Sequence, residues 1–205
     1  MQTRRFPNAH TIAAAALLLA AGAVLTNWKP VSRAAEKKHL AQSVSLRKMA
    51  DSLHAVIAAD REIYAKEIVE RLARREGVLA ADAAWREKHC LPVPAQMLRM
   101  ANIHIQRRGG EFSYVLRSPW PINPAQSPQT ETEEQALKAV LADPDKPHYF
   151  EEELGGRSYF LAAYADRATQ PSCVECHNRR SRSPRRDFKL GDVMGAVIVR
   201  IPLEF

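Results

Sequence analysis

Two cysteines and a histidine stand within five residues near the C-terminal end of the chain, in the order Cys173-Val-Glu-Cys176-His177. Two thiols separated by two residues can each add to one vinyl group of the same porphyrin. A histidine directly after the second thiol is positioned to coordinate the iron. The motif therefore predicts one covalently attached haem c, with His177 as an iron ligand.

Other readings of the same residues fit less well. A thioredoxin-like redox pair would favour a strand-to-helix context with no histidine after the second cysteine. A zinc site would need a second ligand pair at suitable spacing, and the sequence offers none. The remaining cysteine, Cys90, makes the total odd, so a disulfide framework is not predicted.

The second axial ligand of the iron is left open by the sequence. Met97, Met100 and Cys90 precede the predicted sheet, and His89 and His104 lie in the same region. Thioether, thiolate and imidazole groups all ligate haem iron. Methionine on a helix usually packs in the core, so water or an open position is a further alternative.

The N-terminal segment has the pattern of an export signal. Arg4 and Arg5 precede an almost wholly apolar run over residues 11–26, and Trp28 and Lys29 follow it. The run is close to the roughly 20 residues that span a bilayer, so we expect an uncleaved anchor, with a removed signal peptide or a buried Ala-rich helix as alternatives. Export predicts the periplasmic side of the bacterial inner membrane, where haem c is attached.

The net charge of +7 comes largely from one cluster of arginines after the haem motif, within residues 179–186. No zinc finger or RNA-binding aromatic signature accompanies them, so nucleic-acid binding is not predicted. We expect a solvated loop, with at most one arginine engaged by a haem propionate.

A long amphipathic helix is predicted over residues 32–75, a stretch with neither Gly nor Pro that ends near Gly77. Such a helix either packs on its own domain or pairs with a second copy to form a homodimer. The predicted division of the chain is a signal or anchor segment at 1–31, this helix at 32–76, and a haem-binding domain at 77–205.

Shorter elements are predicted after residue 90. They are a helix over residues 95–106, a strand over 112–116, a helix over 130–142 opened by the capping box Thr130-x-x-Glu133, paired strands at 149–152 and 157–164, and a last strand over 193–201. Prolines exclude helix and central strand over residues 118–124. The order predicts an α+β fold with an antiparallel sheet.

Residues 91–203 resemble the PAS-like haem-c sensor domains of the bacterial periplasm. The resemblance is carried by four stretches: Leu91-Pro-Val-Pro-Ala95, Ser118-Pro-Trp-Pro-Ile-Asn-Pro124, Cys173-Val-Glu-Cys-His-Asn178 and Gly191-Asp-Val-Met-Gly195. It implies a PAS-like sheet with flanking helices and covalent haem with His177 as proximal ligand. It also implies a distal ligand from Met97, Met100, Cys90 or water.

The expected function is a membrane-anchored periplasmic monohaem cytochrome c that senses redox state or a small gas. The alternative is an electron-transfer cytochrome that serves a partner protein. No catalytic acid–base pair is identifiable, so an enzyme is not predicted. The sequence carries no kinase, cyclase or methyl-accepting region up to Phe205, so we expect a signal to leave through the N-terminal helix or a partner.

Overall fold

The computed structural model describes residues 45–204, which contain helices and one four-stranded sheet. The predicted anchor segment and the first part of the predicted long helix, residues 32–44, lie outside the described residues. Among the helices within residues 45–204, none is both long enough and apolar enough to cross a membrane.

The long helix begins with α1, Leu46–Ile63, and continues as a π-helical segment, Tyr64–Arg75. Ser45 caps α1, because its hydroxyl accepts the Lys48 amide at 3.2 Å. The segment ends before Gly77, whose φ of 66° is a left-handed conformation that suits glycine. The predicted helix is thus confirmed over its described part, while its π-helical second half was not predicted.

The elements after residue 90 follow the predicted order, with one further helix, Pro171–Arg179, that was not predicted. They are α2 (Pro94–Arg107), β1 (Ser113–Arg117), α3 (Glu131–Ala142), β2 (His148–Leu154), β3 (Arg157–Arg167), α4 (Pro171–Arg179) and β4 (Val193–Pro202). A short 3-10 turn, Pro124–Gln126, closes the proline-rich loop. The four strands form one antiparallel sheet in the order β1-β4-β3-β2, so the predicted α+β class is confirmed.

Both faces of the sheet are covered. On one face Val197, Val199 and Ile201 of β4 pack with α1 and α2. On the other face Ala196 and Ile198 pack with α3. Because side chains alternate along a strand, covering both faces makes the central strands almost continuously apolar. Residues 45–204 pack as one compact unit, and the predicted domain boundaries at 31 and 76 stay predictions.

The predicted capping box at the start of α3 is half formed. The Thr130 hydroxyl accepts the Glu133 amide at 3.1 Å, as predicted. The Glu133 side chain does not return to the Thr130 amide, because its Oε2 accepts the Gln129 amide and its carboxylate is drawn inward to Arg200 and Arg117. A buried charge network has taken the place of the second half of the cap.

Asp51 ties α1 to the sheet. Its carboxylate accepts hydrogen bonds from the Tyr149 hydroxyl at 2.9 Å and from the Tyr164 hydroxyl at 2.8 Å. The His54 ring stacks on Tyr164 with 3.8 Å between centroids. Burial and the Asp51 carboxylate raise the pKa of the Tyr164 hydroxyl, so this hydroxyl stays a donor across the physiological range.

We expect Tyr164→Phe to lower the free energy of unfolding by about 1–2 kcal/mol, because it removes a hydrogen bond to a carboxylate. Urea unfolding measures the change. Tyr159→Phe is the matched control on the same strand, since no hydrogen bond is seen from its hydroxyl within residues 45–204, and it should change stability by less than about 0.5 kcal/mol. Equal effects of the two substitutions would contradict a role for the Asp51 contact.

Candidate functional site

The Cys-x-x-Cys-His motif lies on α4, a helix that the sequence analysis did not assign. Pro171 starts the helix, where its missing amide costs nothing. The Ser172 amide donates to the Glu70 Oε2 at 3.0 Å and so fixes the start of α4 to the π-helical segment. Cys173, Cys176 and His177 stand at positions i, i+3 and i+4, which share one face of a helix.

That face borders a cavity of about 630 Å³, and all three motif side chains line it. The volume is within the range of about 300–1,000 Å³ that holds small-molecule and cofactor ligands. The other walls come from the long helix, from residues 79–81, from the start of α2, from the end of β1 with the loop after it, and from β3 and β4. The cavity therefore joins the motif helix, the long helix and the end of the sheet.

His177 is held from one side by Phe188, whose ring meets the imidazole edge to face with 5.7 Å between centroids. Two hydrogen bonds pin Phe188 in turn: its amide donates to the Asn178 Oδ1 at 3.0 Å, and its carbonyl accepts from the Asn178 Nδ2 at 2.9 Å. Asn178, the residue directly after the motif, therefore holds in place the phenylalanine that packs against His177.

The electrostatic state of the motif suits ligation of a metal. Burial lowers the pKa of His177, and the charges of Asp166 and Arg61 act on it in opposite directions, so the imidazole is neutral at pH 7. Its Nδ1 is buried and has no hydrogen-bond partner among residues 45–204. Burial also raises the pKa of the Cys173 thiol, which stays protonated at neutral pH.

These features pass a test of fit for a haem. Two thiols and a neutral imidazole face one cavity of cofactor size, and the imidazole carries a buried nitrogen whose bonding the described residues do not complete. Such a nitrogen costs about 1–3 kcal/mol if it remains without a partner. The donor set is the one that covalent haem attachment requires.

The rim of the cavity is basic. Arg74 and Arg179 both pair with Glu175, and the Arg180 Nη2 lies 3.8 Å from the Asp82 Oδ2. These three residues, the rim arginines, line the cavity; Arg74 and Arg179 are exposed and Arg180 is half-buried. Arg185 lies elsewhere, with its guanidinium 4.7 Å from the centre of the Trp120 ring and 4.3 Å from that of Phe188.

The predicted distal-ligand candidates do not lie among the residues that line the cavity. Met97 packs against the core cluster under α1, and Met100 is half-buried on α2. The Cys90 Sγ lies 3.8 Å from the Leu91 carbonyl oxygen. His89 and His104 are exposed. The assignment of Met97, Met100 or Cys90 as a ligand stays a prediction.

Among the lining residues with charged or sulfur-bearing side chains, the sequence analysis assigned no role to Arg61 on α1, Asp166 on β3 or Met194 on β4. A signal existed for Arg61, because it continues the spacing of four that joins buried Ile57 to buried Ala65 and Val69. A charged residue on the buried stripe of a helix marks a partner or a ligand. Asp166 carries no such signal, and Met194 was named only as part of the stretch Gly191–Gly195. The register between β3 and β4 shifts between Asp166 and Arg167, and the pattern of either strand alone does not encode such a shift.

The fold and site together define an α+β protein with a cofactor-sized cavity at one end of its sheet. The chain belongs to the Tll0287-like family, whose model matches residues 33–202. Among solved structures, it is similar to one described as the crystal structure of the cyanobacterial heme-protein Tll0287. The two are 15% identical with a TM-score of 0.47, and the match covers 78% of this chain and 98% of that one. No curated protein matches the chain.

Proposed function

We propose that the chain binds one haem covalently through Cys173 and Cys176, with His177 on the iron, and that it acts as a redox or gas sensor. The observation that carries the proposal is the convergence of the three motif side chains on one cavity of about 630 Å³. Each thiol would add across one vinyl group, with the sulfur bonding to one carbon and the thiol hydrogen going to the other. This addition involves no net oxidation or reduction.

The haem would supply an iron that changes redox state or binds a small ligand, and the protein would sense that change. The residues of the protein favour transmission of this change to the long helix, because Val69 and Ala73 of the π-helical segment line the cavity. The contacts of Glu70 with Ser172 and of Arg74 with Glu175 join the same segment to the motif helix. A shift of α4 would therefore act directly on the long helix.

We also propose a fold family and a location for the protein. A PAS-like architecture is compatible with the four-stranded antiparallel sheet and its flanking helices. The basic residues and the apolar run of residues 11–26 support export and anchoring on the periplasmic side of the bacterial inner membrane. We also propose that the long helix forms a homodimer. We propose no enzymatic activity for the protein.

An electron-transfer cytochrome is the second candidate, and the basic rim favours it, because the rim arginines would give an acidic partner a docking surface beside the motif. Carbon monoxide binding to the reduced protein separates the two. Carbon monoxide that displaces a protein ligand from the iron, or that binds at an open iron position, supports sensing. A reduced haem that takes up no carbon monoxide supports electron transfer.

The cofactor is tested on protein purified from membranes of a host that assembles cytochromes c. We expect a mass that exceeds that of the polypeptide by one haem, and a reduced pyridine adduct with the absorption of a haem joined by two thioether bonds. Acid–acetone extraction should leave the haem on the protein. A colourless protein with the mass of the polypeptide alone would refute the proposal.

A further inference from the structure

One buried ion pair lines the same cavity as the haem motif. Arg61, two residues before the end of α1, pairs through its Nη1 with the Asp166 Oδ1 near the end of β3. The side chains are 21% and 12% exposed, and both contribute to the cavity wall together with His177. The wall therefore carries one positive and one negative charge that are largely withdrawn from solvent.

Packing holds Arg61 on the core side of the long helix. It stands four residues after Ile57 and four residues before Ala65, and both of these side chains are buried. Residues four apart share one face of a helix. The packed face fixes Arg61, and the ion pair fixes Asp166, so both charges have a set place in the cavity wall.

The ion pair continues a line of contacts between α1 and β3. The Asp51 carboxylate accepts the Tyr164 hydroxyl at 2.8 Å, and the His54 ring stacks on the ring of Tyr164. Asp166 stands two residues after Tyr164, on the same face of the strand. Arg61 follows His54 by two helical turns. The line of contacts thus reaches the cavity at the Arg61–Asp166 pair.

Charges on the wall of a cavity act strongly on a cofactor inside it, because little water lies between them. Reduction of a haem iron takes one electron from an electron donor and lowers the charge of the haem by one, and no bond is made or broken. A cation nearby favours the reduced iron, and an anion nearby favours the oxidised iron. Charge and burial around a haem are therefore determinants of its reduction potential.

We propose, on the basis of the haem assignment above, that the Arg61–Asp166 pair sets the reduction potential of the haem and transmits the charge of the iron to α1. Oxidised haem attracts Asp166 and repels Arg61, and reduction weakens both forces. Coupling between two sites is reciprocal, so a pair that shifts the redox equilibrium must itself respond when the iron changes charge. Because Arg61 belongs to α1, that response acts on the long helix.

The test is a redox titration of the holoprotein at neutral pH, followed by the haem absorption. Arg61→Gln leaves an unpaired anion in the wall and should lower the potential. We expect the ratio of oxidised to reduced protein at a fixed potential to rise about tenfold, which is about 59 mV for one electron. Asp166→Asn leaves an unpaired cation and should raise the potential by a similar amount. The double variant should lie closer to the wild type than either single variant.

Arg167→Gln is the matched control, because it makes the same change in charge one residue further along β3. Arg167 does not line the cavity formed by residues 45–204, and its pair with Asp145 is exposed. This variant should keep the wild-type potential, and so should Arg61→Lys, which preserves the charge in the wall. Shifts of the same sign in Arg61→Gln and Asp166→Asn, or no shift in either, would overturn the proposal.

Hydrogen exchange tests the transmission to α1. Backbone amides at the end of α1 should exchange at different rates in the oxidised and the reduced wild-type holoprotein. The difference should disappear in the double variant Arg61→Gln, Asp166→Asn, because it has no charged pair left to respond. Equal exchange in both oxidation states of the wild type would overturn the transmission.

The outcomes also separate this inference from the proposed function. If Arg61→Gln fails to retain haem, Asp166→Asn is compared with Asp166→Glu, and only the first should raise the potential. Equal potentials in these two variants would overturn the inference and leave the haem assignment standing. A wild-type protein without haem would refute the proposed function itself, and this inference with it.

Discussion

The double variant Cys173→Ala, Cys176→Ala is expected to lose covalent haem completely. The thioether bonds need both thiols, and the remaining cysteine, Cys90, does not line the cavity. His177 stays in place, because Phe188 and Asn178 hold its surroundings independently of the cysteines. Any haem that still binds should therefore be removed by acid–acetone, and the mass of the polypeptide should be that of its residues alone.

The control is Cys90→Ala, which should retain covalent haem at the wild-type level. His177→Ala separates attachment from ligation, because it leaves both thiols and removes the imidazole. We expect this variant to keep the added mass of one haem while its Soret band shifts. Covalent haem in the double variant, or an unaltered spectrum in His177→Ala, would contradict the assignment of roles within the motif.

The order of elements could be predicted because local signals determine it. Pro92 precedes α2 and Pro94 is its first residue, Gly155 and Gly156 form the turn between β2 and β3, and Thr130 caps α3. Each signal acts within a few residues of the element it bounds. The motif could be identified because its five residues are consecutive in the sequence, and its role as a haem site stays a prediction.

The walls of the site could not be predicted, because contacts between distant residues build them. Arg61 and Asp166 are 105 residues apart, and neither has a local reason to meet the other. The register shift after Asp166 reflects pairing between β3 and β4, which single-strand patterns do not encode. The close packing of β4 against the end of β1 could not be predicted either. A Cβ on Gly195 would lie 2.2 Å from the Arg117 carbonyl oxygen.

The charge network behind the sheet gave a sequence signal that went unused. Arg200 is the one charged residue of β4, and Glu133 precedes Ala136, Leu137 and Val140 at helical spacing. A charge in an apolar strand and a carboxylate on an apolar helix face predict a buried pair. The structure joins them, with the Arg200 Nη2 donating to the Glu133 Oε1 at 2.5 Å.

Arg200→Met is expected to lower the free energy of unfolding by about 3–5 kcal/mol at pH 7, the cost of removing one partner from a buried ion pair. The Arg200 Nε also donates to the Glu152 Oε2 at 2.6 Å, and the Arg117 Nε lies 2.7 Å from the Glu133 Oε2. Two carboxylates thus face two arginines, and the substitution leaves two buried negative charges against one positive charge. Urea unfolding of the wild type and the variant measures the difference.

Arg167→Met is the matched control on the neighbouring strand, since its pair with Asp145 is 37% and 84% exposed, and it should cost less than about 1 kcal/mol. The pH dependence gives a second check. Burial alone would raise the pKa of Glu133, but hydrogen bonds from Arg200, the Gln129 amide and Arg117 hold it below its ordinary value of 4.5.

A carboxyl whose pKa is lowered by folding stabilises the protein above its unfolded pKa, and that contribution is lost as the pH falls through the folded pKa. In Arg200→Met the main donor to Glu133 is missing, so the pKa of this carboxyl in the folded state should rise. The variant therefore loses less stability from Glu133 than the wild type does when the pH falls. The stability gap between wild type and variant should therefore narrow as the pH is lowered from 7 to below about 4.5. A gap of the same size at both pH values would show that Arg200 acts through its packing and not through its charge.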